Sequence, residues 1–160
     1  MVAQYFRPSI NEIAPYIKSA LDEGKSVKLT VTGNSMYPLF RDKRDTVTLS
    51  PSDSFKKGDV VLFTRPDGRF VLHRIIKARG DLFTFAGDNE TVKEYPVKKE
   101  NCLAVMKSFV RMDCEYSVDA LWYRLYTSFW IFVFPVRPCA KKLLHFGTKV
   151  YKKIFRRGHL

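Results

Sequence analysis

The sequence predicts a mainly β fold: twisted antiparallel sheets or a small barrel, with an N-terminal helix and a C-terminal helical appendage. Three observations lead there. Between about Ser26 and Arg111, short runs rich in Val, Ile, Leu and Phe recur, spaced as strands are. Turn signals such as Pro66-Asp67-Gly68 and Arg79-Gly80-Asp81 join them, the pattern of consecutive hairpins. The composition, 46% hydrophobic and 28% charged over 160 residues, supports one modest core rather than disorder.

The elements follow in order. Ile10, Ile13, Ile17 and Leu21 keep helical spacing, and Ser9 with Glu12 has the form of a capping box. Pro15 opposes a helix running straight through from Ser9. It moves the expected start to near Ile13, with the proline in the first turn, and Glu23-Gly24 ends the helix. In 26–32, Val27, Leu29 and Val31 alternate with Lys28, Thr30 and Thr32, as in a half-buried strand. Further strands are expected at 46–49, 59–64, 69–77, 82–86 and 102–110.

After Asp113 the composition shifts, so residues 1–113 are read as the main domain and 114–160 as the appendage. The segment 121–134, L-W-Y-R-L-Y-T-S-F-W-I-F-V-F, is apolar nearly all round. It is short of the roughly 20 apolar residues that a membrane span needs, and Arg124 interrupts it. It is expected to lie on a membrane rather than cross it, with packing on the β body as the alternative.

From Arg137 onward there are eight basic residues and no acidic ones, out of a net charge of +12. Leu143, Phe146, Val150 and Ile154 keep helical spacing among them, so this tail reads as a basic amphipathic helix. Trp130, Lys141, Lys142, Lys152, Lys153, Arg156 and Arg157 are the residues expected to meet an anionic membrane surface. Nucleic acid is the less favoured polyanionic partner, because the charges accompany a Phe/Trp-rich segment.

The three cysteines, Cys102, Cys114 and Cys139, form no C-x-x-C, which speaks against a disulfide framework. His73, His145 and His159 have no metal-ligand spacing, so no metal or cofactor is expected. No secretory run opens the sequence, and a cytoplasmic or peripheral membrane location is expected.

The chemistry-bearing stretch is V-T-G-N-S-M-Y-P-L-F, 31–40. Gly33-Asn34 signals a turn that places Ser35 where a strand ends and the chain bends. A hydroxyl there suits a nucleophile, because neighbouring backbone N–H groups can cradle an oxyanion. Three later blocks join it: K-G-D-V-V-L-F at 57–63, F-V-L-H-R-I-I at 70–76 and F-A-G-D-N at 85–89. In order and approximate spacing, from about Val27 to Met106, they resemble the signal peptidase I and LexA-like superfamily of serine endopeptidases.

The resemblance implies a Ser–His peptidase mechanism. Ser35 would be the nucleophile, and His73 the general base that bacterial signal peptidases and LexA-type proteins supply as lysine. The histidine matches the endoplasmic-reticulum and archaeal kind. Asp88 matches the family aspartate and would orient His73, with Glu94 the nearest candidate for a second acid. Asn34, Met36 and Pro38 would shape the oxyanion and substrate-positioning turn. Gly33 stands where many signal peptidases carry a serine, so the oxyanion hole would rest on backbone alone. Arg74 is expected on the opposite face, at the surface.

G-N-S-M is closer to the LexA branch, and Pro38 and His73 to the signal peptidase branch. With only about 25 residues ahead of the first strand and no Ala-Gly or Cys-Gly pair in them, self-cleavage is not expected. The expected activity is cleavage of a leader or signal-bearing peptide. A non-catalytic binding module of the same fold, holding nucleic acid through the basic tail, is the alternative.

Overall fold

The computed structural model describes residues 10 and 12–139. The basic stretch expected at a membrane, with Lys141, Lys142, Lys152, Lys153, Arg156 and Arg157, lies outside them, as do Ser9 and its capping box. The chain is mainly β. Helix α1 (Ala14–Asp22) precedes strands β1 (Val27–Thr30), β2 (Thr46–Ser50), β3 (Val60–Thr64), β4 (Phe70–Arg79), β5 (Leu82–Ala86), β6 (Glu94–Lys98), β7 (Cys102–Arg111) and β8 (Cys114–Ser117). Helix α2 (Leu121–Phe132) follows, and then a short 3-10 turn, Phe134–Val136.

α1 begins at Ala14, beside the start expected near Ile13. Pro15 lies in its first turn, where a missing N–H costs nothing, and Ile17 and Leu21 seat its apolar face. The strands form one antiparallel sheet in the order β1-β2-β7-β3-β4-β5-β6. β2 lines one side of β7; β3 and then β8 line the other. Register shifts interrupt four of these ladders, at Thr48/Leu49, Leu62/Phe63, Ile75/Lys77 and Phe83/Phe85. Each such bulge adds twist, and together they curl the sheet into a half-barrel.

The two faces of the sheet bury separate clusters. Val60 and Leu62 of β3 join Val47, Leu49, Met106 and Phe109 under α1 and the 31–40 loop. Val61 and Phe63, the alternate residues, join Ile75, Phe83, Phe85 and Val105. Phe63 and Phe85 stack with ring centroids 4.3 Å apart.

Two strands escaped the sequence pattern. β6 carries Pro96, which cannot donate to a ladder and is tolerated because β6 is an edge strand. β8 returns after a turn at Met112 and Asp113, both in the left-handed region, and carries sheet pairing on to Ser117.

Candidate active site

The 31–40 loop is built before it is functional. Val31 exchanges backbone hydrogen bonds with the chain returning through Lys43 and Asp45, at 2.8 and 2.9 Å. Gly33 takes a φ of +83°, a turn conformation that costs glycine nothing, and its N–H donates to the Asp42 carboxylate at 2.7 Å. Tyr37 N–H then donates to the Asn34 carbonyl and Phe40 N–H to the Met36 carbonyl, so residues 34–40 coil into a tight turn. Met36, Leu39 and Phe40 are buried and anchor that turn in the core. Pro38, joined to Tyr37 by a cis peptide bond, carries the chain away. Ser35 is left half-buried at the rim of a cavity of about 260 Å³.

His73 reaches the same cavity from β4. It is paired with Val61 across the ladder, buried, and tilted against the Phe63 ring at 6.3 Å. Its Nδ1 lies 2.9 Å from Glu94 Oε1, and its Nε2 lies 3.8 Å from Glu90 Oε2. The first contact has hydrogen-bond length but is bent. Catalytic hydrogen bonds are commonly poorly aligned without substrate and tighten only when it is bound.

Glu94 is itself held. Arg65, just past β3, donates from both Nε and a terminal nitrogen to its two oxygens, the first at 2.6 Å. Partial burial works to raise the Glu94 pKa. The Arg65 guanidinium and then the His73 ring outweigh it and hold the carboxyl down at about 2. At neutral pH a fixed carboxylate therefore stands 2.9 Å from the imidazole Nδ1.

The expected role of Asp88 is corrected by this geometry. Its two oxygens accept from Arg74 Nε and a terminal nitrogen, each at 2.8 Å, and one also accepts the Tyr126 hydroxyl at 3.0 Å. Arg74 is corrected too. It leaves the face of β4 opposite His73, as alternation requires, but it is buried, not at the surface. α2 covers it: Tyr123 and Thr127 accept from it at 3.2 and 2.9 Å, and the Gly58 carbonyl at 2.9 Å. Burial opposes its charge, but the Asp88 carboxylate beside it pushes its pKa up. The Tyr126 hydroxyl is likewise held protonated, by burial first and by Asp88 next.

The turn around Asp88 still serves the site, through backbone. Asn89 N–H donates to the Ser35 carbonyl at 2.7 Å, and the Asn89 side chain donates to the Asn34 carbonyl at 3.2 Å. Gly87 lets the two segments touch, since a Cβ there would stand 2.5 Å from the Ser35 carbonyl oxygen. Trp130, expected at a membrane, faces inward instead. Its indole N–H donates to the Asp88 carbonyl at 2.9 Å, and its ring stacks on Tyr126. Arg137 lies over that ring and donates to the same carbonyl at 3.0 Å.

These blocks, with Ser35 and His73 at one cavity on a curled antiparallel sheet, are matched by a family profile described as Peptidase S24-like over residues 3–110. The chain belongs to the Peptidase S24-like family. A search of the curated proteins gave no match.

Within this S24-like site, His73, Glu90 and Glu94 bring ligand-capable atoms within 4.8 Å of one another. Glu94 spends both oxygens on Arg65, and that guanidinium would sit beside any bound cation. The trio is better suited to moving a proton than to holding a metal. Two residues of the S24-like site went unassigned in sequence. Arg65 stands in a hairpin turn with no motif around it. Gly87 reads as an ordinary turn residue until its approach to Ser35 is seen. Glu94 was legible as an acid near the motif, but not as the one facing His73, because its strand was hidden by Pro96.

Proposed function

We propose that the chain is a serine endopeptidase similar to signal peptidase I, cleaving a leader or signal-bearing peptide. The observation that carries this reading is the meeting of Ser35 and His73 at one cavity, with the Glu94 carboxylate 2.9 Å from the imidazole's other nitrogen.

In this mechanism Glu94 holds Nδ1 protonated, leaving Nε2 free to accept. His73 Nε2 takes the Ser35 hydroxyl proton as Oγ attacks the scissile carbonyl carbon. The backbone N–H of Ser35, presented by the turn through Asn34, Met36 and Pro38, stabilises the oxyanion. The imidazolium then gives its proton to the leaving amine as the C–N bond breaks, leaving an ester on Ser35. Water, deprotonated by His73, hydrolyses that ester and restores the serine. Glu94 and Arg65 act through His73 as positioning residues.

The cavity walls include Leu29, Val31, Val47, Leu49, Leu62 and Leu72, so the substrate side chain that enters should be apolar and of modest size. A peptide library incubated with wild type and with Ser35→Ala, read by mass spectrometry, tests the proposal. Cleavage by wild type alone, after small apolar residues, is expected. Equal cleavage by both would refute it, and no cleavage by either would leave the fold as a binding module.

A further inference from the structure

We propose that the outer face of α2 is a docking surface for an anionic lipid bilayer. This inference goes beyond the peptidase reading and does not depend on it. α2 is two-sided. Tyr123, Tyr126, Thr127 and Trp130 turn inward and are spent on Arg74, Asp88 and the turn that carries it. On the other side Leu121, Leu125, Phe129 and Phe132 are 70, 62, 58 and 82% exposed, and Val136 in the next turn is 59% exposed. Spacings of four, four and three residues place Leu121, Leu125, Phe129 and Phe132 along one stripe of the helix. Single exposed apolar residues are ordinary, but a continuous row of this kind marks a contact surface.

The surroundings of the stripe select the occupant. One groove beside α2 is lined by Lys56, Lys107 and Arg124, with Asp59 and Asp119 as its acids. A second groove, further along the same side of α2 past Ile131, is lined by Lys77, Arg79 and Lys93 and holds no acid. Lys57 borders both. The chain then continues past the stripe with further basic residues and no acidic ones. An apolar ridge bordered along one side by basic grooves and followed by a basic stretch of chain matches acyl chains beneath anionic headgroups. A second copy of this chain fits less well, because antiparallel pairing of the stripes would set the basic flank of one copy against that of the other. The ridge lies on the surface rather than spanning, since among the described residues no helix is long and apolar enough to cross a membrane.

The test uses the full chain and two stripe variants, Leu125→Ser/Phe129→Ser and Leu121→Ser/Phe132→Ser. Each is co-sedimented with vesicles of phosphatidylcholine plus phosphatidylglycerol, and with phosphatidylcholine alone. The side chains of the second pair are so exposed that their loss should leave the thermal melt unchanged, which guards against unfolding as the cause. The wild type should bind the anionic vesicles, weaken in salt without losing all binding, and bind the neutral vesicles less. Each variant should partition about tenfold or more weaker, as expected for removing two large apolar contacts. Equal binding by wild type and variants would place any lipid contact in residues 140–160 and overturn the proposal. So would a wild type that stays in the supernatant, or a concentration-dependent dimer in sedimentation velocity that both variants abolish.

Discussion

Gly87→Ala should disable the site without touching a catalytic group. A Cβ at this position would stand 2.5 Å from the Ser35 carbonyl oxygen and 3.1 Å from Glu90 carbons. The Glu90 side chain can swing aside, but the carbonyl is backbone. To restore van der Waals contact the Ser35 turn must retreat by about 0.5–0.9 Å. That movement stretches the 2.7 Å hydrogen bond from Asn89 N–H and pulls on a turn already anchored by buried Met36, Leu39 and Phe40. Overpacking of this kind costs about 1–3 kcal/mol, and the weakened hydrogen bond about 1 more. A displacement near 1 Å at a reacting atom costs on the order of a hundredfold in rate. The assay is the rate of Ser35 labelling by a fluorophosphonate, measured beside a thermal melt. Gly87→Ala should label tens of times more slowly and melt several degrees lower. Labelling at the wild-type rate with an unchanged melt would show that the 87–89 turn does not brace the nucleophile.

The other predictions concern the two acids and the thiols. Asp88→Asn should cost about 3–5 kcal/mol in chemical denaturation, because it leaves the Arg74 charge buried without its counter-ion. Glu94→Gln should instead lower turnover, with a much smaller loss of stability; a Glu94→Gln enzyme as fast as wild type would remove that residue from the mechanism. The Glu94 carboxyl is depressed from about 4.5 to about 2, so its stabilisation is present above its ordinary range and lost as the pH falls through it. Allowing for partial exposure this amounts to about 1–2 kcal/mol between pH 5 and 2, to be seen in denaturation curves of wild type and absent from Glu94→Gln. Burial pushes the Cys102 thiol up to about 12, so at pH 8 iodoacetamide should modify exposed Cys114 well before Cys102, as read by peptide mass mapping.

Much of this was legible in the sequence because short-range rules act strongly on it. Alternation set the first strand and apolar runs bounded by turn signals the other five, Pro15 set the start of α1, and Gly33-Asn34 set the turn that presents Ser35. What escaped was decided at long range. Asp88 looks like a partner for His73 in sequence, yet its carboxylate belongs to Arg74, which stands one residue further along β4 and so on the opposite face. Arg74 looked like a surface residue because nothing in its own segment announces the helix that covers it, nearly fifty residues later. Trp130 looked lipid-facing because its segment is apolar nearly all round. The partners of α2, Arg74 and the Asp88 turn, separate its inner face from the outer one, and they lie far away in the sequence.

The 87–89 turn is gripped from both sides, by the Ser35 turn on one and by Trp130 and Arg137 on the other. The family match stops at residue 110, but the chain that steadies the Ser35 turn runs on to residue 137. A fragment cut at the end of the matched region would keep Ser35, His73 and Glu94, yet it would open the Arg74–Asp88 pair to water and release one side of the grip. The appendage is thus seated by the sheet and in turn braces it. Inactivity of such a fragment would report a lost brace rather than a lost catalyst.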